Sequence, residues 1–285
     1  MPVRDVFLPR TLDGLWATLE EHPGSMVYAG GTDLLIRLRS GSIAPPSLVC
    51  LERLNEIKGV RDEGESLFIG AAATHDFLLG HPLVTEHFSV LSKALAVLAS
   101  PPVRHMGTIG GNIVNASPAA DTLPPLYVLD AELEISSRRD VRRVPLADFI
   151  IGPGKVSLRQ GEILTGIRVK KQAQANVHHY EKVGLRKGQV CAVASLAALL
   201  RLSSAGVVEE ARFAWGSVGP TVVTMPEVEH AITGKALSHD TLAGLTRLVR
   251  EKVSPIDDVR ASAEYRRIVA GQLLLRLQHY RWSGP

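Results

Sequence analysis

Two short glycine pairs carry the residues best suited to chemistry in this chain. Gly30-Gly31 lies within Ala29-Gly30-Gly31-Thr32-Asp33, and Gly110-Gly111 lies within Thr108-Ile109-Gly110-Gly111-Asn112. Without a Cβ, backbone can approach a ligand closely, and its N–H groups can turn toward negative charge. Each pair follows an apolar, strand-like approach and is flanked by small or hydroxylated residues. The first runs into the helical pattern Leu34-Leu35-Ile36-Arg37-Leu38, and a helix start favours anions. Two such segments predict two walls gripping one long anionic ligand, such as the pyrophosphate of a dinucleotide. Taken singly, either pair also reads as a tight turn in a packed sheet.

Neither segment is the Gly-x-Gly-x-x-Gly fingerprint of a Rossmann fold, and neither is followed by the Lys-Ser/Thr of a Walker loop. Asp121, in Asn115-Ala-Ser-Pro-Ala-Ala-Asp121, has two open readings: an acceptor for a sugar or ring N–H, or a cap for the next helix. Lys182 and Arg186 fall on opposite sides of an expected turn, where solvation is the simplest role. No Ser/His/Asp or paired-carboxylate spacing stands out. Two cysteines, Cys50 and Cys191, are too few for a four-thiolate iron–sulfur cluster, and the ten histidines are too scattered for a metal site.

The elements that must position these residues read as follows. A helix over 11–22 precedes a strand over 25–29 that enters the first glycine loop. Strands over 47–51 and 67–71 follow, then a helix opened by Thr74, and one helix over 84–99 ended by Pro101-Pro102. Beyond the second glycine loop come a strand over 131–136 and a hairpin bearing Arg138, Arg139, Arg142 and Arg143, read as a solvated turn or a docking surface. The pattern fades around Lys171–Asn176, a domain boundary giving domains of 1–172 and 173–285. Strands over 178–183, 190–202 and 209–217 then precede helices over 225–233, 239–253 and 261–282. Strands followed by helices indicate an α+β module. The length of 285 residues fits two domains, and 45% apolar residues supply their cores. A net charge of +3 gives no argument for nucleic acid. The start has no apolar core of a signal peptide, and no apolar run reaches ~18 residues, so a cytoplasmic protein is expected.

The glycine motifs with the Asn-Ala-Ser-Pro-x-x-Asp continuation resemble the FAD-binding medium subunit of molybdenum hydroxylases. The likeness extends through Gly152-Pro-Gly-Lys-Val-Ser-Leu, Gly161-Glu-Ile-Leu-Thr and Tyr180-Glu-Lys to Ser262-Ala-Glu-Tyr-Arg-Arg. The resemblance implies an α+β fold: an FAD domain of the vanillyl-alcohol-oxidase (PCMH) type with two α/β subdomains, and a smaller C-terminal α+β domain of the carbon monoxide dehydrogenase flavoprotein type. It implies cofactor contacts from Val27, Tyr28, Ala29, Gly30, Gly31, Thr32, Asp33 and Leu34 on one wall. Thr108, Ile109, Gly110, Gly111 and Asn112 would form the other, with Asp121, Leu164 and Lys182 contributing. The family register also puts Cys191 near the reactive edge of the flavin, against a simpler role as a small buried residue inside a strand. Molybdopterin and 2Fe-2S clusters would sit on large and small partner subunits, in a heterotrimer. Electrons would pass from the clusters through FAD to an external acceptor, with NAD and a xanthine-dehydrogenase-like branch favoured. A carbon monoxide, aldehyde or N-heterocycle dehydrogenase subunit, a stand-alone flavoprotein oxidase, and a non-enzymatic scaffold are the alternatives.

Overall fold

The computed structural model describes residues 5–172, 174–186 and 190–280. A parallel three-stranded sheet comes first, with Ser47–Cys50 between Asp5–Phe7 and Met26–Tyr28. Parallel neighbours need crossover connections. The helix Leu12–Glu21 lies in the connection from Asp5–Phe7 to Met26–Tyr28, and Leu34–Arg39 in the one from there to Ser47–Cys50. The first is capped by Thr11, whose hydroxyl accepts from Gly14 N–H, and buries Leu15 and Trp16 in one cluster with Val49. The first glycine loop leaves the carboxyl end of Met26–Tyr28.

A five-stranded antiparallel sheet follows, in the order Val60–Asp62, Ser66–Gly70, Ile163–Lys170, Glu132–Ser136, Val141–Pro145. The segment expected to be one helix over 84–99 is two helices, Pro82–His87 and Ser89–Val97. Phe88 breaks them: its ring is fully buried, and its backbone, at φ −127° and ψ 51°, leaves the helical region. Pro101 and Pro102 open the helix Pro101–Met106, at positions where a missing N–H costs nothing. The basic hairpin is tied down within the chain: Arg138 pairs with Glu20, Arg142 with Glu162 and Arg143 with Glu132.

The last sheet is antiparallel, in the order Val177–Val183, Ala194–Leu202, Val208–Gly216, Val223–Thr224. Helices Pro226–Ile232, His239–Lys252 and Ala263–Leu275 follow in sequence. The last of these, expected to reach residue 282, gives way to a 3₁₀ turn over Arg276–His279, and 281–282 lie outside the described residues. The run Ala-Ser-Leu-Ala-Ala-Leu-Leu-Arg-Leu in Ala194–Leu202 is nearly all apolar because both faces are covered. Leu196, Ala198, Leu200 and Leu202 pack with the C-terminal helices, while Ala197 and Leu199 join the core of the preceding sheet, together with Tyr180 and Ala214. Alternation along one strand thus ties two cores into a continuous body. Calorimetry is expected to show one unfolding transition, and two separated peaks would contradict this coupling.

Candidate functional site

The loop 29–33 and the helix start at Thr108 face each other across a cavity of about 530 Å³. Val27, Tyr28, Ala29, Gly30, Gly31, Thr32, Asp33 and Leu34 line one side, and Thr108, Gly111 and Asn112 the other. Two further hollows adjoin it. One, of about 120 Å³, is lined by Gly110, Leu164, Leu51, Ile57 and Glu162. The other, of about 450 Å³, is lined by Thr74, Phe77, Lys58 and Met106. Ala29 and Thr108 border all three, so they stand where the spaces meet.

The glycines divide their tasks. A Cβ on Gly30 would overlap the Met106 carbonyl, and one on Gly110 would sit 2.6 Å from the Ala71 Cβ. These two let backbone pack on backbone. Gly31 has φ +69°, a conformation that disfavours side chains, and a Cβ on Gly111 would lie 2.9 Å from Thr108 Oγ1.

The second pair is not in a loop after a strand, as the sequence predicts, but in the first turn of the helix Ile109–Asn115, preceded by a helix. Its donors are already engaged. Ile109 N–H donates to Ala73 O, Gly110 N–H to Ala71 O, Gly111 N–H to Thr108 Oγ1, and Asn112 N–H to Thr108 O. In the first motif, by contrast, the N–H groups of Gly30, Gly31, Thr32, Asp33 and Leu34 have no partner among the described residues. One wall therefore offers a run of free donors and the other offers shape plus the Asn112 side chain. That arrangement fits a dinucleotide diphosphate, whose oxygens accept several backbone hydrogen bonds.

Sequence reasoning missed His75, Arg37 and Gly154 in the cavity wall. His75 sits at the start of a helix capped by Thr74, which gave no sign of its role. The residue is 3% exposed and its Nδ1 is buried with no partner among the described residues. Burial, aided by Arg104, lowers its pKa to about 4.

Ile109 is fully buried in the core and lines none of these spaces. Asp121 and Lys182 also stand apart from them. Lys182 Nζ donates to Asp121 Oδ2 at 2.6 Å, and the Tyr180 hydroxyl donates to Oδ1 at 2.9 Å. Asp121 caps no helix; the N-cap position before Leu123–Val128 belongs to Thr122, whose hydroxyl donates to Asn112 Oδ1 at 2.6 Å. This bond links the triad's segment to the cavity wall. Burial pushes the Asp121 carboxyl above its ordinary range, opposed by the Lys182 ammonium and the two hydrogen bonds. Tyr180, another residue the sequence left unassigned, shares a strand face with Lys182 because they are two apart.

Cys191 is exposed and precedes the strand, which begins at Ala194 rather than at Val190. It is not a residue buried inside a strand. Carbonyls of Val190, Ala192 and Val193 accept from side chains of Lys182, Arg260 and Arg266, while Val193 N–H donates to the Val183 carbonyl just ahead of the strand.

Two outcomes follow from this geometry. Lys182→Met leaves the Asp121 carboxylate buried without its cation and is expected to cost about 3–5 kcal/mol, read from urea midpoints. D121N/K182M should recover part of that loss. His75 protonates at 6.5 when unfolded but at about 4 when folded, so the unfolded chain binds more protons in between. Stability should therefore fall as pH drops from 6.5 toward 4. His75→Gln should reduce the slope by up to about 1.4 kcal/mol per pH unit.

Residues 2–170 match the family described as the FAD binding domain in molybdopterin dehydrogenase, and residues 178–280 match the CO dehydrogenase flavoprotein C-terminal domain. The chain is 35% identical to the xanthine dehydrogenase FAD-binding subunit of Escherichia coli O157:H7, over 87% of this chain and 85% of that one. Its fold superposes on a chain of carbon monoxide dehydrogenase from Hydrogenophaga pseudoflava with a TM-score of 0.91 and 29% identity, covering 97% of this chain and 96% of that chain. A chain of quinoline 2-oxidoreductase from Pseudomonas putida 86 gives a TM-score of 0.92 and 27% identity, with the same coverage of 97% and 96%. The chain belongs to the FAD-binding medium subunits of the molybdenum hydroxylases, a family of oxidoreductase subunits.

Proposed function

We propose that this chain is the electron-transfer subunit of a cytoplasmic heterotrimeric molybdenum hydroxylase. A large partner would hold molybdopterin, a small partner would carry the 2Fe-2S clusters, and this chain would hold the FAD through which electrons reach NAD. Domains of 1–172 and 173–285 divide the work between holding the cofactor and covering it. The observation that carries the reading is the run of free N–H groups over Gly30–Leu34, facing a wall shaped by Thr108 and Gly111. Having only two cysteines agrees with clusters carried elsewhere. The identity to a xanthine dehydrogenase subunit supports a xanthine-type substrate, and the likeness to quinoline 2-oxidoreductase supports an N-heterocycle as the second reading.

Bound FAD supplies the exchange between one-electron and hydride transfer. The chain's residues do the rest. The loop 29–34 binds the diphosphate through its amides, and the apolar hollow around Leu164 takes the adenine end. Glu162 borders that hollow but is held by Arg142 in two bonds of 2.8 Å, so its charge is neutralised. Asp121 and Lys182, fixed by Tyr180, orient the far end of the cofactor, and Cys191 stands near the flavin edge.

Gly111→Val should weaken FAD retention by at least about tenfold, or 1.4 kcal/mol, by crowding Thr108. Full FAD stoichiometry in a folded Gly111→Val chain would sink the assignment. Purification with both partners, followed by xanthine-dependent reduction of NAD, tests the finer reading. A complex that instead reduces only dioxygen or a quinone excludes NAD as acceptor.

A further inference from the structure

The motif Ser262-Ala-Glu-Tyr-Arg-Arg opens the helix Ala263–Leu275, with Ser262 accepting from Tyr265 N–H. Its first arginine, Arg266, is 1% exposed. Apolar packing of equal volume often stabilises as well as a buried ion pair, so burial of this guanidinium is not explained by stability as such. Arg266 Nη2 donates to Asp258 Oδ1 at 2.6 Å, and Nη1 donates to the carbonyls of Val193 at 3.0 Å and Ser217 at 3.1 Å. Arg260 donates to Asp258 Oδ2 through Nε at 3.0 Å and Nη2 at 2.7 Å, and reaches the Ala192 carbonyl through Nη1 at 3.3 Å. From the other side, Lys182 Nζ donates to the Val190 carbonyl at 3.1 Å while paired with Asp121.

Three carbonyls of the short segment 190–193 are thus gripped by three cations. Lys182 comes from the strand Val177–Val183, Arg266 from the helix Ala263–Leu275, and Arg260 from the connection before it. Each arginine is tied to one carboxylate, Asp258, whose oxygens also accept the Arg260 and Ala261 N–H groups. Ser217, the other carbonyl bound by Arg266, donates its N–H to Pro118 O, three residues before Asp121. The network therefore connects both sides of the Asp121–Lys182 pair.

We propose that Asp258, Arg260 and Arg266 are positioning residues for the flavin. They clamp the segment Val190–Val193, and through the Val190 carbonyl they set where Lys182 stands and how Cys191 is presented. This rests on the reading that Lys182 and Cys191 adjoin the flavin. None of the three touches the cavities lined by the glycine motifs. Their effect is on cofactor environment, not on cofactor capture.

The chain contains its own reporter. Cys191 is exposed and Cys50 is 3% exposed, so a thiol reagent reads the segment 190–193 with little background. The full chain is alkylated with and without FAD, with flavin absorbance and midpoint potential recorded on the same samples. In the wild type FAD should slow alkylation of Cys191 by about tenfold or more. Asp258→Asn, which keeps shape but removes the shared charge, should retain FAD yet lose most of that protection and shift the potential. If Arg266→Met does not fold, Arg260→Gln carries the test, since the Arg260 side chain is 28% exposed. Asp258→Asn and Arg260→Gln chains with wild-type protection and potential would reduce the cluster to helix packing and overturn the proposal. A wild-type chain that binds FAD without protecting Cys191 overturns the placement of this segment, and the clamp's role with it, while leaving FAD binding intact. Failure of the wild type to bind FAD overturns both.

Discussion

Two backbone approaches that only glycine permits set the geometry of this molecule. Gly30 lies against the Met106 carbonyl, and Gly110 lies against Ala71. The first docks the parallel sheet's loop onto the segment that leads to Thr108. The second presses the helix Ile109–Asn115 onto the end of the strand Ser66–Gly70. Bonds from Ile109 and Gly110 to Ala73 and Ala71 then hold that helix in place. With both approaches in place, the neighbouring glycines, Gly31 and Gly111, line the cavity of about 530 Å³ between the walls. Any Cβ at the inner positions would separate the walls by its own bulk.

Function follows from an asymmetry between those walls. One has donors with no internal obligation, and the other has its donors engaged in anchoring a helix. An anion placed between them would meet donors mainly on one side and shape on the other. The charged residues are handled differently. Glu162 is neutralised by Arg142, and Asp121 by Lys182, so neither leaves a bare carboxylate in its surroundings. His75 stays uncharged through burial. The cavity between the walls is lined by backbone amides, hydroxyls, the His75 ring and apolar Val27, Leu34 and Val114, with Asp33 and Arg37 as charged residues in its wall.

Local chemistry explains what was legible beforehand. The strand before Gly30, the Thr74 cap and the order of the three C-terminal strands follow from periodicity and turn residues. The family motifs led to the cofactor and the fold. What escaped depended on distant partners. Phe88 breaks a helix because the core takes its ring, which no local pattern reveals. The helical state of Gly110-Gly111 rests on the Thr108 cap and on bonds to Ala71 and Ala73, nearly forty residues upstream by the order of the chain. Cys191 falls just before its expected strand, in a segment whose Ala192 and Val193 carbonyls are held by Arg260 and Arg266, partners 68 and 73 residues away.

The strand Ala194–Leu202, buried on both faces, bears on how the molecule is made. During synthesis the walls of the cavity are complete once Leu164 has emerged, while Tyr180, Lys182 and the double-faced strand come later. Until then Asp121 lacks its cation, and the core that Ala197 and Leu199 will cover is bare. The cavity walls and the strand that completes the core beside them are thus made at different times, and the first part of the chain waits for residues 194–202 before its core is closed.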